Sequence, residues 1–126
     1  MHMDIKLKAF IPTIQPEKAR VFYQDILGLK LLSADQYGLD FDAYGSLLRV
    51  AIVNGFSPQP FTILGFNLID IIGMIETLSN KGVKFERYSY FEQDDFGIWV
   101  SPGGTKVAWF KDPDGNLLSL SEEVKQ

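Results

Sequence analysis

Lys8 and Arg49 are the cations placed to do chemistry on a ligand. Alternate residues of a strand face opposite sides. In a strand over residues 5–13, Ala9 and Ile11 suit a covered face, so Lys8 and Phe10 point the other way. In a strand over 46–53, Leu48, Val50 and Ile52 make the core stripe and leave Arg49 opposite. Ammonium and guanidinium groups so placed could form a rim for a carboxylate or phosphate; the alternative is two solvated strand ends. Asn67 could orient a ligand by hydrogen bonding or satisfy nearby backbone. Trp99, Trp109 and Phe10 could line an apolar pocket or serve as core. Glu92, Asp94 and Asp95 form an acidic loop, a lid or general base on one reading and a solvated turn on the other. Ser119 has no partner to activate it as a nucleophile, because the chain's single His is His2, to which no role is given.

Bulk properties narrow the classes further. The chain has 126 residues, enough for one domain or two fused half-units. Apolar residues make up 46% and charged residues 22%, as in ordinary globular proteins. A net charge of −4 argues against sequence-independent nucleic-acid binding, which needs a clustered basic surface. The absence of Cys excludes disulfides, thiol catalysis and zinc–thiolate sites. No run approaches the roughly 18 apolar residues of a membrane span, and no signal peptide is visible, so a cytoplasmic location is expected.

These side chains must be positioned by a repeated set of elements. A strand over 5–13 leads to a helix that Pro16 and Glu17 open, with Ala19, Phe22, Tyr23, Ile26 and Leu27 as its apolar stripe and Gly28 as its cap. Strands follow over 29–34, 37–43 and 46–53, the last two turning at Tyr44-Gly45. Residues 54–60, with two prolines, read as a linker. A strand over 62–69 comes next, with Leu64, Phe66 and Leu68 to the core and Ile63, Gly65 and Asn67 opposite. Asp70 caps a helix that Gly82 closes. Strands are expected over 83–88, 96–100, 105–112 and 116–120, with a loop over 90–95. In the final strand Leu118 and Leu120 face the core, and Leu117, Ser119 and Ser121 lie opposite. Both faces of 107–111 are apolar; Trp109 is assigned to the side of Ser119.

The halves echo each other. Gly28-Leu29-Lys30-Leu31 matches Gly82-Val83-Lys84-Phe85, Tyr37-Gly38-Leu39 matches Phe96-Gly97-Ile98, and Gly45-Ser46 matches Gly104-Thr105. The plan is two βαβββ modules, about 5–53 and 61–121, within a single domain. The closing hairpin is worded distinctively: Lys111-Asp112-Pro113-Asp114-Gly115-Asn116, in which Pro113 presets φ, Asp114 can bond its own backbone, and Gly115 accepts a left-handed conformation.

This hairpin, together with Phe22-Tyr23-Gln24-Asp25-Ile26-Leu27-Gly28-Leu29 in the first helix, resembles the vicinal oxygen chelate superfamily of glyoxalases, extradiol dioxygenases and bleomycin-resistance proteins. The resemblance implies an α+β fold, in which two tandem βαβββ modules form a curved mixed sheet around a cup-shaped cavity with helices outside. It implies a homodimer. It also implies a divalent metal, whose ligand positions fall at Lys8, at Ile63 or Thr62, and at Ser119. None supplies imidazole or carboxylate, so no metal and no cofactor are expected. The reading that follows is a metal-independent small-molecule-binding protein of the bleomycin-resistance type, with ligand contacts at Lys8, Phe10, Arg49, Asn67, Trp99, Trp109 and Ser119. The alternative is a lyase, oxidoreductase or isomerase of the superfamily with a non-standard or metal-free site.

Overall fold

A computed structural model describes residues 3–125, so His2 lies outside the described residues. The chain divides into two compact units between Ser57 and Pro58, inside the segment 54–60. The fold is α+β and built from two tandem βαβββ modules, each with a four-stranded mixed sheet.

In the first unit, β1 (Lys8–Thr13) leads into α1 (Pro16–Arg20), which continues as a π-helical turn over Val21–Ile26. Pro16 opens the helix where its missing N–H costs nothing. The Leu27 N–H reaches back five residues to the Phe22 carbonyl at 2.9 Å, which widens the turn. β2 (Lys30–Asp35), β3 (Gly38–Ala43) and β4 (Ser46–Ile52) complete the sheet in the order β1-β4-β3-β2, with β1 parallel to β4. The β3–β4 turn forms at Tyr44-Gly45, both at positive φ, which matches the twist of a two-residue hairpin. Ile11, Leu39, Phe41, Leu48 and Val50 are buried with Ala19, Phe22 and Tyr23 of the helix, and Tyr23 packs 6.0 Å from the Phe41 ring. Burying an aromatic pair of this size contributes several kcal/mol, about 1.5–3 per side chain. The opposite face of the sheet carries Phe10, Arg49 and Asp40 in one row.

In the second unit, β5 (Leu64–Asn67) precedes α2 (Ile71–Asn80), followed by β6 (Trp99–Val100), β7 (Lys106–Lys111) and β8 (Leu117–Glu122). The order β5-β8-β7-β6 repeats that of the first unit. Two carboxylates serve the start of α2: Asp70 accepts from the Gly73 N–H and Glu122 from the Ile71 N–H, both at 3.0 Å. Ile71, Ile75 and Leu78 of the helix are buried with Ala108, Phe110, Leu118 and Leu120 of the sheet. No helix among the described residues is long and apolar enough to cross a membrane.

Several expectations need correction. No strand spans 83–88: Phe85 makes only an isolated bridge to Phe110, while Trp99 pairs with Val107 further along the same edge of β7. The edge strand is split, and residues 86–98 loop out between its two pieces. β5 and β6 are shorter than expected, and residues 5–7 lie outside β1. Only the first of the internal matches is structural. Gly28 and Gly82 both follow a helix at positive φ. Gly45, however, turns β3 into β4, whereas Gly104 lies between β6 and β7, which corresponds to the β2–β3 connection. In the closing hairpin the Asp112 side chain is an anchor that the sequence reading did not name. Its Oδ1 accepts from the Asp114 and Asn116 N–H groups, and its Oδ2 from Asn116 Nδ2, all at 2.9 Å.

Candidate functional site

The open face of the first unit is a lattice of paired charges. Arg49 Nη1 donates to Asp40 Oδ1 at 3.0 Å, and Nη2 lies 3.5 Å from Asp35. The guanidinium rests over Gly38, where a Cβ would lie 3.1 Å from Arg49 Cζ and 2.7 Å from the Val50 carbonyl oxygen. The Arg49 hydrogen bond is the main cause holding the Asp40 carboxyl below the usual carboxylate range; partial burial opposes it, and the Ser33 hydroxyl and the Lys8 charge reinforce it. Asp40 in turn raises the Arg49 pKa. Lys8 is exposed, with its ammonium 5.6 Å from the Phe10 ring centroid, and Phe10 itself is 63% exposed. An anion approaching Arg49 would therefore compete with two carboxylates already in place. The pairing follows from the Tyr44-Gly45 turn, since counting back from it puts Asp40 opposite Arg49.

The open face of the second unit is different. Trp109 stands opposite Ser119, and Ser119 opposite Gly65. The next row holds Asn67, Ser121, Val107 and Trp99. Asn67 accepts from Ser121 Oγ at 3.3 Å. The looped-out segment adds Tyr88, Tyr90 and Phe91 to this face. Phe91 is the hub: its ring lies 5.2 Å from Trp109 and parallel within 3°, 4.6 Å from Trp99 and 4.8 Å from Tyr90. Tyr88 meets Trp109 edge-on at 5.5 Å. Such offset and edge contacts suit the ring quadrupoles. Burial, followed by the nearby Glu86 charge, pushes the Tyr88 hydroxyl above the usual tyrosine range.

Gln93 ties the loop together. Its Nε2 donates to the carbonyls of Glu86 (3.0 Å) and Gly97 (2.8 Å), and its Oε1 accepts from the Tyr88 N–H (2.8 Å). Asp94 Oδ1 accepts from the N–H groups of Phe96 and Ile98, and Arg87 donates to the carbonyls of Asp94 and Asp95. Glu92 is exposed. The structure thus joins Trp99, Trp109, Ser119 and Asn67 on one face and puts Lys8, Phe10 and Arg49 on another. Sequence reasoning missed Tyr88, Phe91 and Gln93. The available signal was the density of aromatics in a segment otherwise polar, where rings have no reason to be unless something covers them.

The metal implied by the superfamily resemblance does not fit these residues. Ser119 offers a hydroxyl beside a glycine, Ile63 a hydrocarbon or Thr62 another hydroxyl, and Lys8 a cation. Among the described residues no three His, Cys, Asp or Glu side chains converge. A divalent ion bound to neutral hydroxyls and an ammonium would lose more in dehydration than it gained.

Residues 7–120 match the family described as the Glyoxalase/Bleomycin resistance protein/Dioxygenase superfamily. No curated protein matches the sequence significantly. Among solved structures the chain is similar to a member of the same superfamily from Sphaerobacter thermophilus DSM 20745, at 23% identity and TM-score 0.74, covering 96% of this chain and 98% of that one. It is similar to a lactoylglutathione lyase from Agrobacterium tumefaciens, at 14% identity and TM-score 0.71, covering 96% and 95%. It is also similar to TioX from Micromonospora sp. ML1, at 13% identity and TM-score 0.72, covering 96% and 100%. At these identities the structural likeness carries the fold, and the sequence match carries the family: the chain belongs to the Glyoxalase/Bleomycin resistance protein/Dioxygenase superfamily.

Proposed function

We propose that this protein binds a small molecule without a metal, on the open sheet face of its second unit. The observation that carries the reading is the row Gly65–Ser119–Trp109. The position where the superfamily resemblance implies a metal-binding carboxylate holds a hydroxyl, with a half-buried indole directly beside it. Aromatic walls with a few polar groups are the usual make-up of small-molecule sites.

The enzymatic alternative needs an acid–base pair poised near neutrality. Asp40 is held ionised by Arg49, and Tyr88 is held protonated by burial, so each sits further from neutrality than its ordinary value. A homodimer, on the resemblance alone, and a cytoplasmic location, as the default for a chain with no visible signal peptide or apolar span, belong to the same proposal.

The test has two parts. Elemental mass spectrometry on untagged protein, with calorimetric titration of Zn²⁺, Ni²⁺, Mn²⁺ and Fe²⁺, should give no bound metal and no binding heat. A small-molecule screen followed by tryptophan fluorescence should return ligands, because both tryptophans of the chain lie in this cluster. A stoichiometric, tightly bound metal would overturn the reading.

A further inference from the structure

We infer that this face selects an uncharged planar aromatic ligand, with a hydrogen-bonding substituent seated in the notch between Gly65 and Ser119. The inference deepens the small-molecule reading above and rests on it.

The notch comes from a missing side chain. A Cβ on Gly65 would lie 2.8 Å from Ser119 Oγ, closer than real Cβ atoms approach. Gly65 is not at positive φ, so backbone conformation does not demand glycine there; the close approach favours it for as long as the Ser119 hydroxyl keeps its rotamer. The result is an opening on an edge strand that leads to the Ser119 hydroxyl.

Two polar groups on this face, one in the row of the opening and one in the next, keep hydrogen-bonding capacity for a ligand. Among the described residues the Ser119 hydroxyl makes no hydrogen bond. The Asn67 carbonyl oxygen accepts from Ser121, which leaves its amide N–H groups free. A hydroxyl and an amide can together serve both a donor and an acceptor on a ligand. Beside them stands the Trp109 ring, which already stacks with Phe91 in parallel. That geometry suits a flat ring and not a bulky saturated one.

Charge sets the rest of the class. Neither the Gly65–Ser119–Trp109 row nor the Asn67–Ser121–Val107–Trp99 row contains an ionisable side chain. The adjoining row ends at Lys111, which is bound to Glu86 at 3.5 Å. A ligand charge brought onto these rows would lose hydration and find no counter-charge within either row.

The test uses three probes of one shape and different charge: naphthamide, naphthoate and naphthyl-trimethylammonium, titrated calorimetrically into the whole chain. Naphthamide should bind roughly tenfold or more tightly than either ion. Ser119→Ala and Gly65→Ala should each weaken naphthamide roughly three- to tenfold, the range of one hydrogen bond. Should Gly65→Ala fail to fold, Ser119→Ala and Asn67→Ala carry the test alone. A charged probe binding as well as naphthamide, or naphthamide indifferent to Ser119→Ala, overturns the notch but leaves the small-molecule reading standing. If naphthamide does not bind, the notch is overturned, and the wider screen decides separately whether the reading above falls too. Concentration-dependent shielding of the tryptophans from acrylamide would assign the face to a second copy of the chain and also overturn the inference.

Discussion

Replacing Asp112 with alanine should open the closing hairpin and, with it, the register that sets Trp109 against Ser119. Asp112 is 6% exposed, and its carboxylate accepts from the N–H groups of residues 114 and 116 and from the side-chain amide of Asn116, a residue 2% exposed. Withdrawing the acceptor from a buried donor costs about 1–3 kcal/mol, and bonds to a charged acceptor lie towards the top of that range. Solvent can reach the half-buried Asp114 N–H, so that bond contributes least. Summed with this discount, Asp112→Ala should cost about 3 kcal/mol. With a urea slope of about 2 kcal/mol per molar, the midpoint should fall by roughly 1.5 M. Tryptophan fluorescence is the natural readout, since Trp99 and Trp109 lie in this unit. Asp112→Asn keeps the Oδ1 acceptor but sets one amide NH₂ against another, so about half the loss is expected. A loss below about 1 kcal/mol for Asp112→Ala would refute the assignment of the anchor.

Two further outcomes follow from the other contacts. The folded state lowers the Asp40 pKa, so its pairing with Arg49 stabilises the fold above the unfolded Asp value of about 4 and stops doing so as pH falls through the lower folded value. Arg49→Met should therefore be less stable than the parent at neutral pH, and the two stabilities should converge in acid; a difference that does not change with pH would exclude the pairing as its source. Phe91→Ala removes the ring that joins Trp99, Trp109 and Tyr90. It should cost about 2 kcal/mol, less than a fully buried ring, and should change the near-ultraviolet circular dichroism of the tryptophans, whereas an unaltered spectrum would show that Phe91 does not touch them in solution.

Much of the fold was legible because local rules carried it. Strand alternation gave the covered faces of β1, β4 and β8 correctly, since Ile11, Leu48, Val50, Leu118 and Leu120 are all at or below 1% exposure. Pro16, Asp70 and the Tyr44-Gly45 turn act over three or four residues, a reach that a sequence displays directly. The expected strand over 83–88 failed for a different reason. Its apolar residues suited a strand, but the edge of β7 was shared by Phe85 and Trp99, and competition for one edge is not a local property. The repeat at Gly45 and Gly104 misled likewise: a glycine marks a turn without saying which strands it joins.

By itself the sequence determined the α+β class and the two βαβββ modules, because period is a property of the chain alone; the superfamily resemblance added that the implied metal positions hold the poor donors Lys8, Ile63 or Thr62, and Ser119. Only tertiary structure decided which of the candidate residues share a face. With both faces of β7 apolar, the pattern alone did not force the assignment of Trp109 to the side of Ser119; pairing with β8 put it opposite Ser119 and Ala108 opposite Leu120. Arg49 read as a candidate anchor until cross-strand pairing gave it Asp40 and Asp35. Phe91 read as a loop residue until three Gln93 hydrogen bonds held that loop where its ring meets Trp109. Each of these depends on contacts between residues distant in the chain, and register, not residue type, chooses among them.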